Sequence, residues 1–195
     1  MTDYNFFGYL ARMKLIKRWS LMRNIQSENI AEHSLQVAQI AHALALISRL
    51  EFAMDIDERD VVILALYHDV GEVIIGDLPT PVKYFNPQIK EAYGQIEEVA
   101  KNKLLAMLPP QMAAEYQPLF SPTSEQQQEQ RLVKAADKIA AYVKCLEEGM
   151  AGNGEFVQAE QSLRQEIAKY TDLPAVAHFM EYYVGSFSKT LDELD

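Results

Sequence analysis

Apolar residues recur at helical spacing along almost the whole chain. Phe6, Leu10 and Met13 stand four and three positions apart, the step that places residues on one helix face. Asn29 precedes the run "IAEHSLQVAQIAHALALISRL". Its side chain suits a helix N-cap, and Glu32, three positions on, can return a bond to that cap. The pattern repeats in "DERDVVILALYHDVG", with Asp57 as cap, Asp60 three residues later, an apolar run, and Gly71 as the expected stop. The segment "GDLPTPVKYFNP" carries Pro79, Pro81 and Pro87 and is expected to be an ordered loop. A long helix should begin at Pro87, with Ile89, Tyr93, Ile96, Ala100, Leu104 and Met107 as its apolar stripe, and stop at "LPP". Beyond it, "SPTSEQQQEQ" opens a helix carrying Leu132, Ala136, Ile139, Val143 and Leu146, which "GMAGNGEF" breaks. Two more helices fit residues 156–170 and 174–184. No stretch alternates with period two, and no repeat or composition shift marks a boundary. The expectation is an all-α bundle of roughly seven to nine helices, with residues 1–195 as one domain.

Composition narrows the classes. A chain of 195 residues, 49% hydrophobic, can bury a single sizeable core. Its one cysteine, Cys145, permits no disulfide within the chain, which favours a reducing compartment. The N-terminal positive charges follow the short apolar patch, the wrong order for a secretion signal. The run "HSLQVAQIAHALALIS" is too short and too polar for a membrane span. A cytoplasmic protein with no membrane partner is expected. The net charge of −10 argues against binding nucleic-acid polymers through phosphate contacts. A small anion could still be held at a local positive site.

The candidate chemistry lies in His33, His42, His68 and His178 and in a few carboxylates. His33 falls in the first turn of its helix, and His68 and Asp69 in the last turn of theirs. Asp137 interrupts the apolar segment "RLVKAADKIAAYVKCL", and a buried carboxylate needs a partner or a metal. Histidine with carboxylate oxygen suits first-row divalent ions better than Mg or Ca. The doublet alone proves little, because about 0.2 His-Asp pairs arise by chance in such a composition. A polar helix end would look the same. His42 lies nine residues after His33, on the opposite side of the helix, and reads as structural. His178 reads as packed or partly exposed, and Cys145 as an inert thiol.

The ordered set His33, His68-Asp69 and Asp137 resembles the HD superfamily of metal-dependent phosphohydrolases. Within it, "LIKRWSLMRN", "ENIAEHSLQVA", "ALYHDVGEVIIGDLPTPVKYFN", "VKAADKIAAYVKCLEE" and "GNGEF" are similar to the bacterial 5′-deoxynucleotidases. Many other HD phosphohydrolases have Lys where this chain has Glu72. The resemblance implies a single HD-domain helical bundle and a homodimer. It implies one divalent transition metal, such as Co or Mn, held by His33, His68, Asp69 and Asp137. It implies hydrolysis of deoxyribonucleoside 5′-monophosphates, with substrate contacts at Arg18, Trp19, Asp77, Leu78, Pro79 and Thr80, and beside the metal ligands His33, Asp69 and Asp137. An HD hydrolase of a triphosphate or an alarmone, or a non-catalytic nucleotide sensor, is the alternative.

Roles for these residues follow from their chemistry. Glu72, one turn beyond His68, is placed to take a proton from water and return it to the leaving oxygen. Arg18 can grip phosphate with its planar fork. Trp19 can wall the sugar and crowd a 2′-hydroxyl, although core packing is the commoner fate of tryptophan. Asp77 can accept a hydrogen bond from the sugar 3′-hydroxyl, on a loop stiffened by the prolines beside Thr80. Lys83 is either a source of positive potential or a solvated lysine.

Overall fold

The computed structural model describes residues 4–195. Among the described residues, eight α-helices of five residues or more are α1 (Phe6–Leu10), α2 (Ile30–Phe52), α3 (Glu58–Tyr67), α6 (Pro87–Leu105), α7 (Pro110–Phe120), α8 (Gln127–Met150), α9 (Val157–Ile167) and α10 (Pro174–Tyr182). Single turns α4 (Glu72–Ile75) and α5 (Thr80–Lys83) lie between α3 and α6. Among the described residues there is no strand, only an isolated antiparallel bridge between Lys17 and Asn29. The all-α reading holds.

The predicted capping of α2 is present in full. Asn29 accepts from the backbone N–H groups of Ala31 and Glu32, and the Glu32 carboxylate accepts from the Asn29 N–H. This satisfies donors that a helix start otherwise leaves bare. Asp57 caps α3 in the same way through Arg59 and Asp60. One difference concerns Gly71. It has φ −60 and sits before α4, while α3 already ends at Tyr67. The glycine is therefore not a left-handed stop.

Helix α2 packs most extensively on α3 and α8, with α10 against its other side. Their shared core includes Val37, Ala41, Leu44, Val61, Leu64, Leu132, Ile139, Val143 and Phe179. Leu44 is fully buried, so truncating it to Ala should cost about 2–5 kcal/mol in transfer and cavity terms. A second cluster joins Phe6, Met13, Ile30, Val70, Val73, Leu104 and Phe120. Leu119 touches both clusters.

Two expectations need correction. The sequence pattern assigns no helix between "LPP" and "SPTSEQQQEQ", but α7 starts there at Pro110, with Pro109 as its cap residue. Proline is favoured in a first turn, where its missing N–H is not needed. Ile96, expected on the apolar stripe of α6, is half exposed, because only Tyr93, Ala100, Leu104 and Leu105 of that helix are buried.

Candidate metal and substrate site

Three helices and one extended strap converge at one end of the core. The strap is held beside the start of α2 by reciprocal backbone bonds. Ile30 N–H donates to the Ile16 carbonyl at 3.1 Å, and Arg18 N–H donates to the Glu28 carbonyl at 3.0 Å. Arg18 and Trp19 are thereby delivered next to His33, on the first turn of α2. The end of α3 delivers His68 and Asp69, and the middle of α8 delivers Asp137.

The distances are short. His33 Nε2 lies 3.0 Å from Asp137 Oδ1 and 3.8 Å from Asp69 Oδ2. His68 Nε2 lies 3.1 Å from Asp69 Oδ2. That approach lacks hydrogen-bond alignment, so the buried Nε2 is left without a partner. Nδ1 of the same ring faces the Ala65 carbonyl at 2.7 Å. A carbonyl can only accept, so Nδ1 carries a proton, and Nε2, which faces Asp69, is the nitrogen on which a metal would replace a proton. His33, His68 and Asp69 each offer one ligand atom, all within 4.8 Å of one another. Asp137 stands outside that triplet but within hydrogen-bond distance of its His33 member. Two imidazoles with carboxylate oxygens, His68 Nε2 among them unsatisfied, form a donor set that fits a first-row divalent ion.

Electrostatics point the same way. Burial pushes the His68 imidazole down, but Asp69 beside it and the more distant Asp137 lift it to about 9. Burial pushes Asp69 up, yet His68 and His33 hold it well below the usual carboxylate range. Asp137 is likewise held low against burial, by His33 and Lys138. Arg18 donates Nε–H to Glu28 Oε2 at 3.0 Å, and its Nη1 is 3.4 Å from Asp69 Oδ2.

Glu72, at the start of α4, behaves in the opposite way. It is buried, and its Oε2 has no hydrogen-bond partner. Burial first, then Asp69 and Asp77, push its carboxyl up to about 10, with Arg18 and Lys83 offsetting part of this. It carries its proton at neutral pH. Asp77 is half-buried and also raised, mainly by burial. It lies in the electrostatic range of Arg18, Asp69 and His33. Leu78 and Pro79 are half-buried, and Thr80 is exposed at the first position of α5. Lys83 is held by Glu97 at 2.9 Å and lies over the Tyr93 ring, so it is not a freely solvated lysine.

Trp19 stacks obliquely on Phe156, with ring centroids 5.2 Å apart, and donates Nε1–H to Glu28 Oε2 at 2.9 Å. The remaining histidines lie elsewhere: His42 is exposed, and His178 packs against Tyr182. Cys145 is buried, and burial pushes its thiol up to about 12, which fits an inert thiol. Sequence reasoning missed Glu28, which touches Arg18, Trp19 and His33. A cavity of about 570 Å³ lined by Gly8, Tyr9, Arg12, Val73, Ile74 and Lys103 holds none of the site residues.

Residues 5–187 match the family described as 5′-deoxynucleotidase YfbR-like. The chain belongs to the YfbR-like 5′-deoxynucleotidase family. A relative from Erwinia tasmaniensis, named 5′-deoxynucleotidase, is 47% identical over 100% of this chain and 98% of its own length. Another 5′-deoxynucleotidase, from Yersinia pestis, is 48% identical over 97% of this chain and 96% of its own. The fold is similar to that of an HD-domain phosphohydrolase from Listeria innocua, with TM-score 0.81 and 24% identity over 94% and 88% of the two chains. It is also similar to a cyanophage S-2L HD phosphohydrolase solved with dA and one catalytic Zn²⁺, with TM-score 0.69 and 22% identity over 94% and 96%. These likenesses show the HD-type helical fold of the YfbR-like chain.

Proposed function

We propose that this YfbR-like chain hydrolyses deoxyribonucleoside 5′-monophosphates to deoxynucleoside and phosphate, at a single divalent metal held by His33, His68, Asp69 and Asp137. The observation that carries the reading is the convergence of these four side chains, from three helices, with His68 Nε2 left unsatisfied beside the carboxylates. The cyanophage phosphohydrolase of similar fold holds one catalytic Zn²⁺ and dA, which supports a transition metal and a deoxynucleoside ligand here. Residues 1–195 act as one HD-domain unit, for the family match covers 5–187. We place it in the cytoplasm as a homodimer, in which a second copy would cover exposed apolar side chains such as Ile63 and Leu66.

A divalent ion bound there supplies a Lewis acid for a phosphate oxygen and a water made acidic enough to ionise near neutral pH. The residues do the rest. Arg18 offers guanidinium N–H groups to the phosphate, exchanging its long contact with Asp69 for a stronger anion. Glu72 holds a proton at its carboxyl and delivers it to the 5′-oxygen, a poor leaving group as an alkoxide. The carboxylate left behind recovers the proton that the water loses as its oxygen bonds to phosphorus and the bond from phosphorus to the 5′-oxygen breaks. Asp77 accepts from the 3′-hydroxyl, and Leu78, Pro79 and Thr80 shape that side of the pocket. Trp19 crowds the sugar edge where a ribose would carry its 2′-hydroxyl.

The test is phosphate release from a panel of deoxy- and ribonucleoside mono- and triphosphates, with chelator and with Co, Mn or Zn restored. Hydrolysis of deoxy-monophosphates, abolished by chelator and restored by an ion, is expected. Preferred cleavage of triphosphates would move the substrate to another nucleotide. Silence with every ion would leave only a nucleotide sensor.

A further inference from the structure

We infer that Glu28 is a positioning residue that ties metal affinity to sugar selection, by holding His33, Arg18 and Trp19 with one carboxylate. The inference rests on the reading of the site given above. Glu28 is nearly buried and lies just ahead of the α2 cap. Its Oε2 accepts from both Arg18 Nε, at 3.0 Å, and Trp19 Nε1, at 2.9 Å. Its Oε1 faces His33 Nδ1 at 3.5 Å. That last distance is long for a hydrogen bond, and Nδ1 has no nearer partner. The two oxygens thus divide the work, one toward the substrate-binding pair and one toward the candidate ligand.

The chemistry of imidazole makes the second contact consequential. His33 is fully buried between carboxylates, with Nε2 toward Asp137 and Asp69 and Nδ1 toward Glu28. To bind an ion through Nε2, the neutral ring must carry its proton on Nδ1. Glu28 is the acceptor that stabilises that tautomer and fixes the ring plane, and loss of such a partner costs metal affinity about 10–100-fold. The first contact holds the indole. Trp19 sits at φ 57, a conformation rare for a bulky residue, and its Nε1 bond to Glu28 helps keep the ring against Phe156.

Two substitutions separate the two halves. In Glu28→Gln, the side-chain oxygen stays where two donors need it, opposite Arg18 and Trp19. The amide N–H₂ then faces His33 Nδ1, favouring the tautomer with the proton on Nε2, which cannot ligate. Calorimetric titration of the metal-free protein with Co²⁺ should show about 10–100-fold weaker binding, while the deoxy-to-ribo ratio of kcat/KM stays as in wild type. In Glu28→Ala, metal binding and the deoxy-to-ribo ratio should both fall. Thermal melting of the metal-free proteins checks folding. Should Glu28→Ala not fold, Trp19→Phe, which keeps an aromatic ring but loses the Nε1 donor, must lower the ratio instead. Wild-type Co²⁺ affinity in folded Glu28→Gln overturns the inference, as does a wild-type ratio in Glu28→Ala or its substitute. If wild-type protein itself neither binds Co²⁺ nor releases phosphate, the reading of the site fails first, and the variants then say nothing in its favour.

Discussion

His33, in the first turn of α2, and Asp137, midway along α8, meet at 3.0 Å although 104 positions separate them. An imidazole and a carboxylate this close either bond each other directly or share a cation. Replacing Asp137 with Asn keeps the shape and one oxygen but removes the charge. Loss of an outer partner alone costs about 10–100-fold in metal affinity, so loss of a direct ligand should cost at least roughly 100-fold. Phosphate release should fall in parallel, and excess Co²⁺ should restore part of it. Calorimetry on the metal-free protein measures this. Unchanged affinity would reduce the pair to a structural hydrogen bond.

Glu72 should show opposite effects on activity and stability. Its carboxyl is raised from 4.5 to about 10, by burial and then by Asp69 and Asp77. For a raised acid the folded state keeps a proton that the unfolded chain gives up. The penalty is absent below about pH 4.5 and grows as pH rises toward 10, by at most about 1.4 kcal/mol per unit. Glu72→Gln removes it. The metal-free variant should therefore melt several degrees above wild type at pH 8, with the gap closing near pH 4.5. The same substitution removes the transferable proton, so turnover should fall about 10²–10⁴-fold while Co²⁺ still binds. A variant that loses the ion would make Glu72 structural.

How much of this could be read from sequence depends on the range of the interactions. The cap of α2 at Asn29 and the placement of Asp137 on an apolar helix are local patterns, and each appears where its spacing put it, whereas the His68-Asp69 doublet stands just past α3, which ends at Tyr67, and not in its last turn. The helix after Pro110 was hidden because proline marks both helix ends and helix starts. Glu28 was hidden for a deeper reason. It precedes the cap, lies on no periodic face, and gains its partners only when the strap at 16–18 pairs with residues 28–30. A two-residue bridge leaves no alternation to recognise. Nothing local could have shown that Lys83 is held by Glu97, or that Ile96 faces outward.

Trp19 offers a test of sugar selection. Its φ of 57 is held by the Glu28 contact and by Asn24 Nδ2, which donates to the Trp19 carbonyl at 3.2 Å. Such a backbone costs on the order of 1–3 kcal/mol, so the indole is maintained against strain. Steric rejection of one added hydroxyl is worth about 10²-fold at most. Trp19→Ala should move the deoxy-to-ribo ratio of kcat/KM most of the way to unity, measured with one matched nucleotide pair. An unchanged ratio would assign selection to Asp77 and its loop instead.

The segment that carries Trp19 toward Glu28 is itself anchored from below, by Glu148 near the end of α8. This carboxylate is almost wholly buried. It accepts from the N–H groups of Ile25, at 2.9 Å, and Gln26, at 3.0 Å, and from Asn153 Nδ2 at 2.7 Å, and it pairs with Lys144. Burial pushes it up, but the bonds from Lys144, Ile25, Asn153 and Gln26 outweigh that and bring it from 4.5 down to about 2. For a depressed acid the stabilisation is complete above about pH 4.5 and is lost as pH falls toward 2. At ~1.4 kcal/mol per unit it amounts to about 3 kcal/mol. Glu148→Gln should therefore destabilise the protein at pH 7 by about 3–5 kcal/mol, since it also strands the buried Lys144 charge. Urea unfolding of both proteins across pH should show the difference shrinking between pH 4.5 and 2, because wild-type Glu148 becomes neutral there as well. A difference that stays constant with pH would mean that shape, not charge, anchors the 23–26 segment.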